Sequence, residues 1–128
     1  MINILCGLIG GGKTTYAKTN FKHFTDLDFM PVYSTKRDQI ALTKKLEQTF
    51  DRVCHITCYP TDEELQAFKK HKVKYYWIDT DPNQAKTNIL IRSRDRDLAN
   101  LTNVIKANQE YQQKFLQSDI DWNIVKVF

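Results

Sequence analysis

The segment Gly7–Thr14 constrains the fold more strongly than any other stretch of this sequence. It fits the pattern G-x-x-x-x-G-K-[ST] at every defined position. A mostly apolar run over residues 2–5 precedes it and predicts a buried strand, and Thr14–Lys18 follows it and can begin a helix. A motif of this type is informative when strand, loop and helix occur in that order. The sequence therefore predicts a glycine-rich loop between a buried strand and a helix.

The residue types in this loop suit the binding of a polyphosphate. Glycines allow backbone N–H groups to approach an anion closely, and the following helix directs its positive end at that anion. Lys13 is expected to reach the β- and γ-phosphates of a nucleotide, and the Thr14 hydroxyl is expected to bind Mg²⁺. The expected nucleotide-binding residues are Gly7, Gly10, Gly11, Gly12, Lys13, Thr14 and Thr15. The alternative is a glycine-rich turn that binds no ligand.

Length and composition predict one globular domain over residues 1–128. Hydrophobic residues make up 41% of the chain and charged residues 27%. No apolar run approaches the roughly 20 residues of a membrane span, and no secretory signal is apparent. The net charge of +4 permits a nucleic-acid partner without arguing for one. Cys6, Cys54 and Cys58 predict free thiols in a reducing cytoplasm rather than a zinc site.

Predicted strands and helices alternate along the chain. The expected strands cover residues 1–6, 24–30, 52–59, 73–79 and 122–128. One helix is expected to begin at Ser34 or Thr35 and to bury Leu42, Leu46 and Phe50; others begin at Thr61 and Pro82, and the last contains residues 101–115. This alternation predicts an α/β fold in which helices cover both faces of a five-stranded parallel sheet.

Several polar residues follow predicted strands. Ligands in such sheets bind at the carboxyl ends of the strands. We therefore expect the glycine-rich loop, Asp26, Asp28, Tyr59 and residues 79–81 to line one cleft. Trp77 and Tyr111 lie at positions that favour core packing over a role in binding.

With this loop and this order of elements, the chain resembles the small P-loop kinases. That group includes shikimate and gluconate kinases, adenylate-kinase-like enzymes and phage-type polynucleotide 5′-kinases. The resemblance covers nearly the whole chain in element order, and only the loop is specific. It implies a three-layer α/β/α fold and transfer of the γ-phosphate of ATP·Mg²⁺ to an acceptor. The economical length is also similar to that of phage-encoded kinases.

Two further groups of residues are similar to sites of these kinases. Asp26 and Asp28 look like an acidic pair in which one carboxylate holds the metal and the other contacts the acceptor hydroxyl; we favour Asp26 for the metal and Asp28 for catalysis. Arg92, Arg94 and Arg96 look like lid arginines, and Arg92 and Arg96 share one helix face if the helix extends that far. The alternatives are a polar strand end for the aspartates and a solvated turn, neutralised by neighbouring carboxylates, for the arginines.

One departure from the resemblance concerns the metal. Many P-loop proteins place a carboxylate at the end of the strand that corresponds to residues 52–59, which here ends Ile56-Thr57-Cys58-Tyr59. The magnesium carboxylate must then come from Asp26, Asp28 or Asp79, or the metal is held through water alone.

The leading interpretation is a phosphotransferase with a nucleoside, a nucleotide or a 5′-hydroxyl nucleic acid as acceptor. Residues 34–50 are expected to contact the acceptor, with Lys36 and Arg37 binding phosphate. The alternatives are a nucleotide-binding module with weak or no catalysis that acts through partners, and a small ATPase acting on nucleic acid. The sequence does not indicate an oligomeric state.

Overall fold

Five parallel strands form one sheet in the computed structural model, which describes residues 1–92 and 94–126. The strands are β1 (Ile2–Cys6), β2 (Phe24–Thr25), β3 (Val53–Ile56), β4 (Val73–Ile78) and β5 (Trp122–Val125). Their order across the sheet is β2-β3-β1-β4-β5, and every neighbouring pair is parallel. The predicted five-stranded parallel sheet is confirmed.

Helices occupy the connections between these strands. They are α1 (Lys13–Asn20), α2 (Lys36–Thr49), α3 (Asp62–Ala67), α4 (Pro82–Arg92), α5 (Asp95–Ala99) and α6 (Leu101–Gln117), with a short 3-10 helix at Leu27–Phe29. The capping box predicted at Thr61 begins α3, and Thr35, one of the two expected caps, begins α2 with a capping box of its own. No helix among the described residues is both long and apolar enough to cross a membrane.

Strand β1 is the middle strand of the sheet, with two strands on each side of it. Ile2 lies opposite Val53 of β3 on one side and Val73 of β4 on the other, and all five residues of β1 are buried. Burial on both faces explains the near-continuous apolar run from which this strand was predicted. The glycine-rich loop therefore follows the buried middle strand of the sheet.

The side chains of β1 alternate between two apolar clusters. Ile2 and Ile4 pack in one cluster together with Trp77, whereas Leu5 packs in the other with Ala17. The Trp77 ring stacks on Phe115 of α6 with a centroid distance of 4.3 Å. Trp77 is thus a core residue, as predicted, and Tyr111 packs against the same cluster.

Helix α2 does not bury the residues that its apolar spacing predicted. Leu42 is 36% exposed, and Leu46 and Phe50 are half-buried. The buried face instead presents Gln39, Ile40 and Thr43. These polar side chains are satisfied inside the protein, since Gln39 Nε2 donates to the carbonyl oxygen of Ile56 at 2.8 Å and Thr43 hydrogen-bonds to His55. The prediction for this face was wrong because it counted only apolar residues.

The strand predicted over residues 24–30 is also shorter than expected. β2 ends at Thr25, and Asp26 then caps the 3-10 helix by accepting a hydrogen bond from the Asp28 N–H at 3.0 Å. An aspartate that bonds its own backbone two residues on favours a turn over continued pairing. Of the last predicted strand, residues 127 and 128 lie outside the described residues.

Candidate functional site

A cavity of about 520 Å³ lies at the carboxyl ends of β1, β2 and β3. Its lining residues are 9–15, 18, 26–29, 36, 56–58, 92, 94, 96 and 97. The loop and the acidic pair, which were expected to line one cleft, therefore lie in one cavity together with the three arginines. Tyr59 and residues 79–81, which were expected there too, are not among the described residues that line it.

The backbone of the loop adopts a conformation that its glycines permit. Gly10 and Gly12 have φ angles of 79° and 93°, in the left-handed region that other residues rarely adopt. A Cβ on Gly10 would lie 2.6 Å from the carbonyl oxygen of Ala85, so this glycine also lets α4 approach the loop. Gly10 is not required by the sequence pattern, and the structure gives it this packing role.

Three side chains from distant segments hold the outer side of the loop. Asn108 of α6 is 5% exposed; its Oδ1 accepts from the Ile9 N–H at 2.7 Å, and its Nδ2 donates to the Ile9 carbonyl at 3.0 Å. Asn88 Nδ2 donates to the Gly10 carbonyl, and Thr80 Oγ1 donates to the Gly11 carbonyl, each at 2.9 Å. Sequence reasoning missed all three. An asparagine at core spacing on α6 was the available signal for Asn108.

Lys13 is folded against the loop from which it arises. Its Nζ donates to the carbonyl oxygens of Gly7 at 2.9 Å and Leu8 at 2.8 Å and lies 3.6 Å from Cys58 Sγ. Gly7 is not among the described residues that line the cavity, and it touches the site through this carbonyl. An ammonium group held by neutral carbonyls keeps its charge available for an anion.

The side chains of Thr14 and Asp26 form a hydrogen bond in the cavity. The Thr14 hydroxyl donates to Asp26 Oδ2 at 2.8 Å, and Asp26 is 7% exposed. No cluster of three or more His, Cys, Asp or Glu side chains that could hold a metal occurs in the described part of the chain. A hydroxyl and one carboxylate nevertheless suit Mg²⁺, which takes most of its other ligands from phosphate and water. Asp79 does not contribute here, because it lies outside the cavity, 4.0 Å from Lys126.

Asp28 is held by two of the three arginines. Arg94 Nη1 lies 3.2 Å from its Oδ2, and Arg96 Nη2 lies 2.9 Å from its Oδ1. Partial burial by itself raises the pKa of Asp28, but the hydrogen bond and charge of Arg96, joined by those of Arg94, bring that pKa below its usual value. Asp28 is therefore a carboxylate at neutral pH.

The arginines lie on two helices rather than on one face of a single helix. Arg92 ends α4, whereas Arg96 belongs to α5, and Ser93 between these helices lies outside the described residues. The two side chains meet at Asp97, which is 2.9 Å from Arg92 and 3.8 Å from Arg96 and only 5% exposed. The helix does not extend to Arg96, which was the condition for a shared helix face, and a shared carboxylate brings these two arginines together instead.

A buried polar network adjoins the cavity at Lys36. Its Nζ lies 3.5 Å from Glu64 Oε2 and donates to Thr57 Oγ1 at 3.3 Å, and Glu64 is fully buried against His55. Burial by itself raises the pKa of Glu64, but the His55 hydrogen bond and the Lys36 charge lower it to about 2. Burial lowers the pKa of His55. Lys36 is thus the cation that balances Glu64, a pairing that sequence reasoning missed.

Arg37 does not reach the cavity. It lies on the outer side of α2, where its side chain is 87% exposed and its Nε is 3.5 Å from Glu63. The expectation that Arg37 binds an acceptor phosphate beside Lys36 was therefore wrong.

This protein is similar to known proteins in structure but not in sequence. No family model matches the sequence, and no curated protein resembles it in sequence. A gluconokinase from Sinorhizobium meliloti superposes with a TM-score of 0.61 at 11% identity, over 98% of this chain and 81% of that enzyme. The deoxyadenosine kinase of M. mycoides with bound dATP gives 0.62 at 11% identity, over 98% and 91%. The same kinase with the products dCMP and dCDP gives 0.57 at 14% identity, over 98% and 90%. The chain therefore has the fold of the P-loop kinases.

Proposed function

We propose that this protein is an ATP-dependent phosphotransferase that moves the γ-phosphate of ATP to a hydroxyl group of a nucleoside or nucleotide. The observation that carries the proposal is the meeting of three groups in one cavity: the glycine-rich loop with Lys13, the carboxylate of Asp28, and the arginines at 92, 94 and 96. Phosphoryl transfer needs a phosphate cradle, a group that orients the nucleophile, and cations around the transferring group.

The loop and Lys13 would hold the triphosphate. Residues 12–15 at the start of α1 line the cavity and no side chain caps this helix, so its first N–H groups would bind phosphate oxygens. Lys13 would exchange its two carbonyl contacts for the β- and γ-phosphates. Thr14 and Asp26 would hold Mg²⁺, whose charge neutralises the phosphates when it is bound.

Asp28 would act on the acceptor. The hydroxyl oxygen of the acceptor would form a bond to the γ-phosphorus as the bond from that phosphorus to the bridging oxygen of ADP breaks. The proton of the acceptor hydroxyl would pass to the Asp28 carboxylate. Arg94 and Arg96 hold that carboxylate in the free protein and would have to release it. Their charges could then stabilise the transferring phosphoryl group.

The structural neighbours support a small hydroxyl compound as the acceptor and do not identify which one. The structural neighbours phosphorylate a sugar acid or a deoxynucleoside, judging by their names, and one holds dATP. An oligonucleotide 5′-end remains a further acceptor to test, with no contact in the cavity that favours it. A cytoplasmic location fits the three free cysteines.

One observation favours a second candidate, a nucleotide-binding module or small ATPase without an acceptor. Strand β3 ends at Ile56 and leads into Thr57 and Cys58, which bring no carboxylate to the cavity. A metal site with fewer acidic ligands would bind nucleotide and transfer its phosphate slowly.

Labelled ATP with Mg²⁺ separates these candidates. The protein is incubated with and without nucleosides, nucleoside monophosphates, gluconate and 5′-hydroxyl oligonucleotides. A labelled acceptor supports the phosphotransferase, acceptor-independent phosphate release supports the ATPase, and tight ATP binding with neither product supports the binding module. Lys13→Ala should abolish ATP binding, whereas Lys22→Ala, on an exposed lysine outside the cavity, should not.

A further inference from the structure

We propose that the acceptor is an uncharged nucleoside rather than a phosphorylated one. This inference rests on the proposed function and narrows its substrate class. It concerns the part of the cavity lined by residues 27–29, Lys36 and Thr57, which we call the acceptor end. The cations at the acceptor end are paired with carboxylates of this chain, and an aromatic ring is exposed beside them.

Lys36 is the cation at the acceptor end whose charge is needed to balance a buried carboxylate. Its partner Glu64 is fully buried, and burial keeps the other neighbour, His55, neutral at physiological pH. If Lys36 turned to an acceptor phosphate, it would leave a buried carboxylate without a compensating charge, which is strongly unfavourable. Lys36 can donate a hydrogen bond into the cavity, but it brings no surplus charge to a phosphate.

The other cations near the acceptor end are also paired. Arg94 and Arg96 bind Asp28, and Arg92 binds Asp97. Once these arginines release their carboxylates, their charges would be taken up by the transferring phosphoryl group of ATP. A second phosphate, on the acceptor, would then compete with the first for the same side chains.

Lys18 is the remaining cavity-lining lysine apart from Lys13. Within residues 1–92 and 94–126 no carboxylate lies within ion-pair distance of it, but it is exposed. Water screens an exposed charge strongly, so Lys18 alone is a weak phosphate site. Its ammonium group lies instead 5.1 Å from the centre of the Phe29 ring.

Phe29 indicates what the acceptor end accepts in place of charge. This ring lines the cavity directly after Asp28 and is 59% exposed. A large aromatic side chain left in water beside a catalytic carboxylate is suited to stacking on a planar base. A nucleoside would cover Phe29 with its base and present its sugar hydroxyl to Asp28, whereas a polyol would leave the ring exposed.

Equilibrium binding tests the charge argument without requiring catalysis. The protein is first saturated with Mg²⁺ and a non-hydrolysable ATP analogue, and adenosine, cytidine, their 2′-deoxy forms and the matching 5′-monophosphates are then titrated by calorimetry. At least one nucleoside should bind 10-fold or more tightly than its own monophosphate. Equal or tighter binding of the monophosphates, or no binding of any nucleoside, would overturn the inference. Phosphate transfer to a monophosphate would keep the proposed function and overturn this inference alone.

The pairing of Lys36 with Glu64 gives a matched pair of variants. Glu64→Gln frees the charge of Lys36, and the ratio of nucleoside to monophosphate affinity should shift about 10-fold toward the monophosphate. Glu63→Gln removes the neighbouring exposed carboxylate and should leave the ratio unchanged. A folded Glu64→Gln protein with an unchanged ratio contradicts the proposal. If that variant does not fold, Lys36→Gln provides the test, because a selective loss of monophosphate binding would show that Lys36 does hold a phosphate.

Phe29 is tested in the same titration. Phe29→Ala should weaken nucleoside binding about 10-fold, which is the loss expected for one stacked base. Tyr33→Ala is the control, because this tyrosine is 95% exposed and lies outside the cavity lining. Equal effects of the two substitutions would remove the base from the proposal.

Discussion

At the scale of single residues, the proposed chemistry depends most on Asp28. Asp28→Asn keeps the size of the side chain and removes the proton acceptor, so we expect transfer to fall by at least about 100-fold while ATP affinity stays unchanged. Single-turnover transfer and ATP titration measure the two quantities. Asp95→Asn, on an exposed carboxylate outside the cavity, is the control. Normal transfer by Asp28→Asn would exclude this residue from the mechanism.

The pKa of Asp28 adds a prediction about pH at the same scale. Because this pKa lies below its usual value, the group stays ionised as the pH falls from 7 to 5. The value of kcat/KM should therefore show no loss from Asp28 over that interval. A decline in kcat/KM centred between pH 5 and 7 would contradict the low pKa of Asp28, if the residual activity of Asp28→Asn does not show the same decline.

Asn108 is the residue through which α6 acts on the loop. Asn108→Asp keeps an acceptor for the Ile9 N–H and loses the donor to the Ile9 carbonyl, so one buried carbonyl loses its partner. We expect nucleotide binding to weaken about 10-fold by calorimetry. Asn103→Asp adds the same charge at an exposed position of α6 and should have little effect. Equal losses in both variants would point to charge rather than to loop positioning.

At the scale of elements, Glu64 joins α3 to β3 and α2 through His55, Thr57 and Lys36. Its pKa is about 2 against an ordinary value of 4.5, so the stabilisation is complete above pH 4.5 and is lost as the pH falls toward 2. The shift corresponds to roughly 3 kcal/mol. Urea unfolding at pH 6 and pH 3 should show a smaller drop in unfolding free energy for Glu64→Gln than for the wild type. An unchanged drop would mean that other groups cause the acid sensitivity.

The helices and strands also show which structural features could be predicted from the sequence. The strand, loop and helix order at β1, the start of α2 and the capping box of α3 follow local rules, and these were predicted correctly. The buried face of α2 was not, because Gln39 and Thr43 are buried through hydrogen bonds to other segments. The ion pair between Lys36 and Glu64 joins residues 28 positions apart in sequence, and no local pattern specifies such a contact.

At the scale of the whole molecule, nucleotide binding should be visible as global stabilisation. A ligand at 100 times its Kd adds about 2.7 kcal/mol to the unfolding free energy, which corresponds to roughly 10 °C in Tm for a chain of this size. Differential scanning fluorimetry with ATP·Mg²⁺ measures this shift. Lys13→Ala should abolish it, while Lys22→Ala should retain it. A full shift in Lys13→Ala would mean that ATP binds elsewhere.

The contact between Cys58 and Lys13 gives this molecule a chemical reporter of occupancy. Cys6 and Cys54 are buried, and burial raises the pKa of Cys54 to about 12 and that of Cys6 well above its usual value, so neither forms a thiolate readily. Cys58 alone lines the cavity, 3.6 Å from the Lys13 ammonium. Alkylation by a maleimide should therefore add one mass increment to the free protein, and bound nucleotide should slow that addition. Intact-mass spectrometry could thus follow the filling of the loop in the unmodified sequence, without a radioactive or fluorescent ligand.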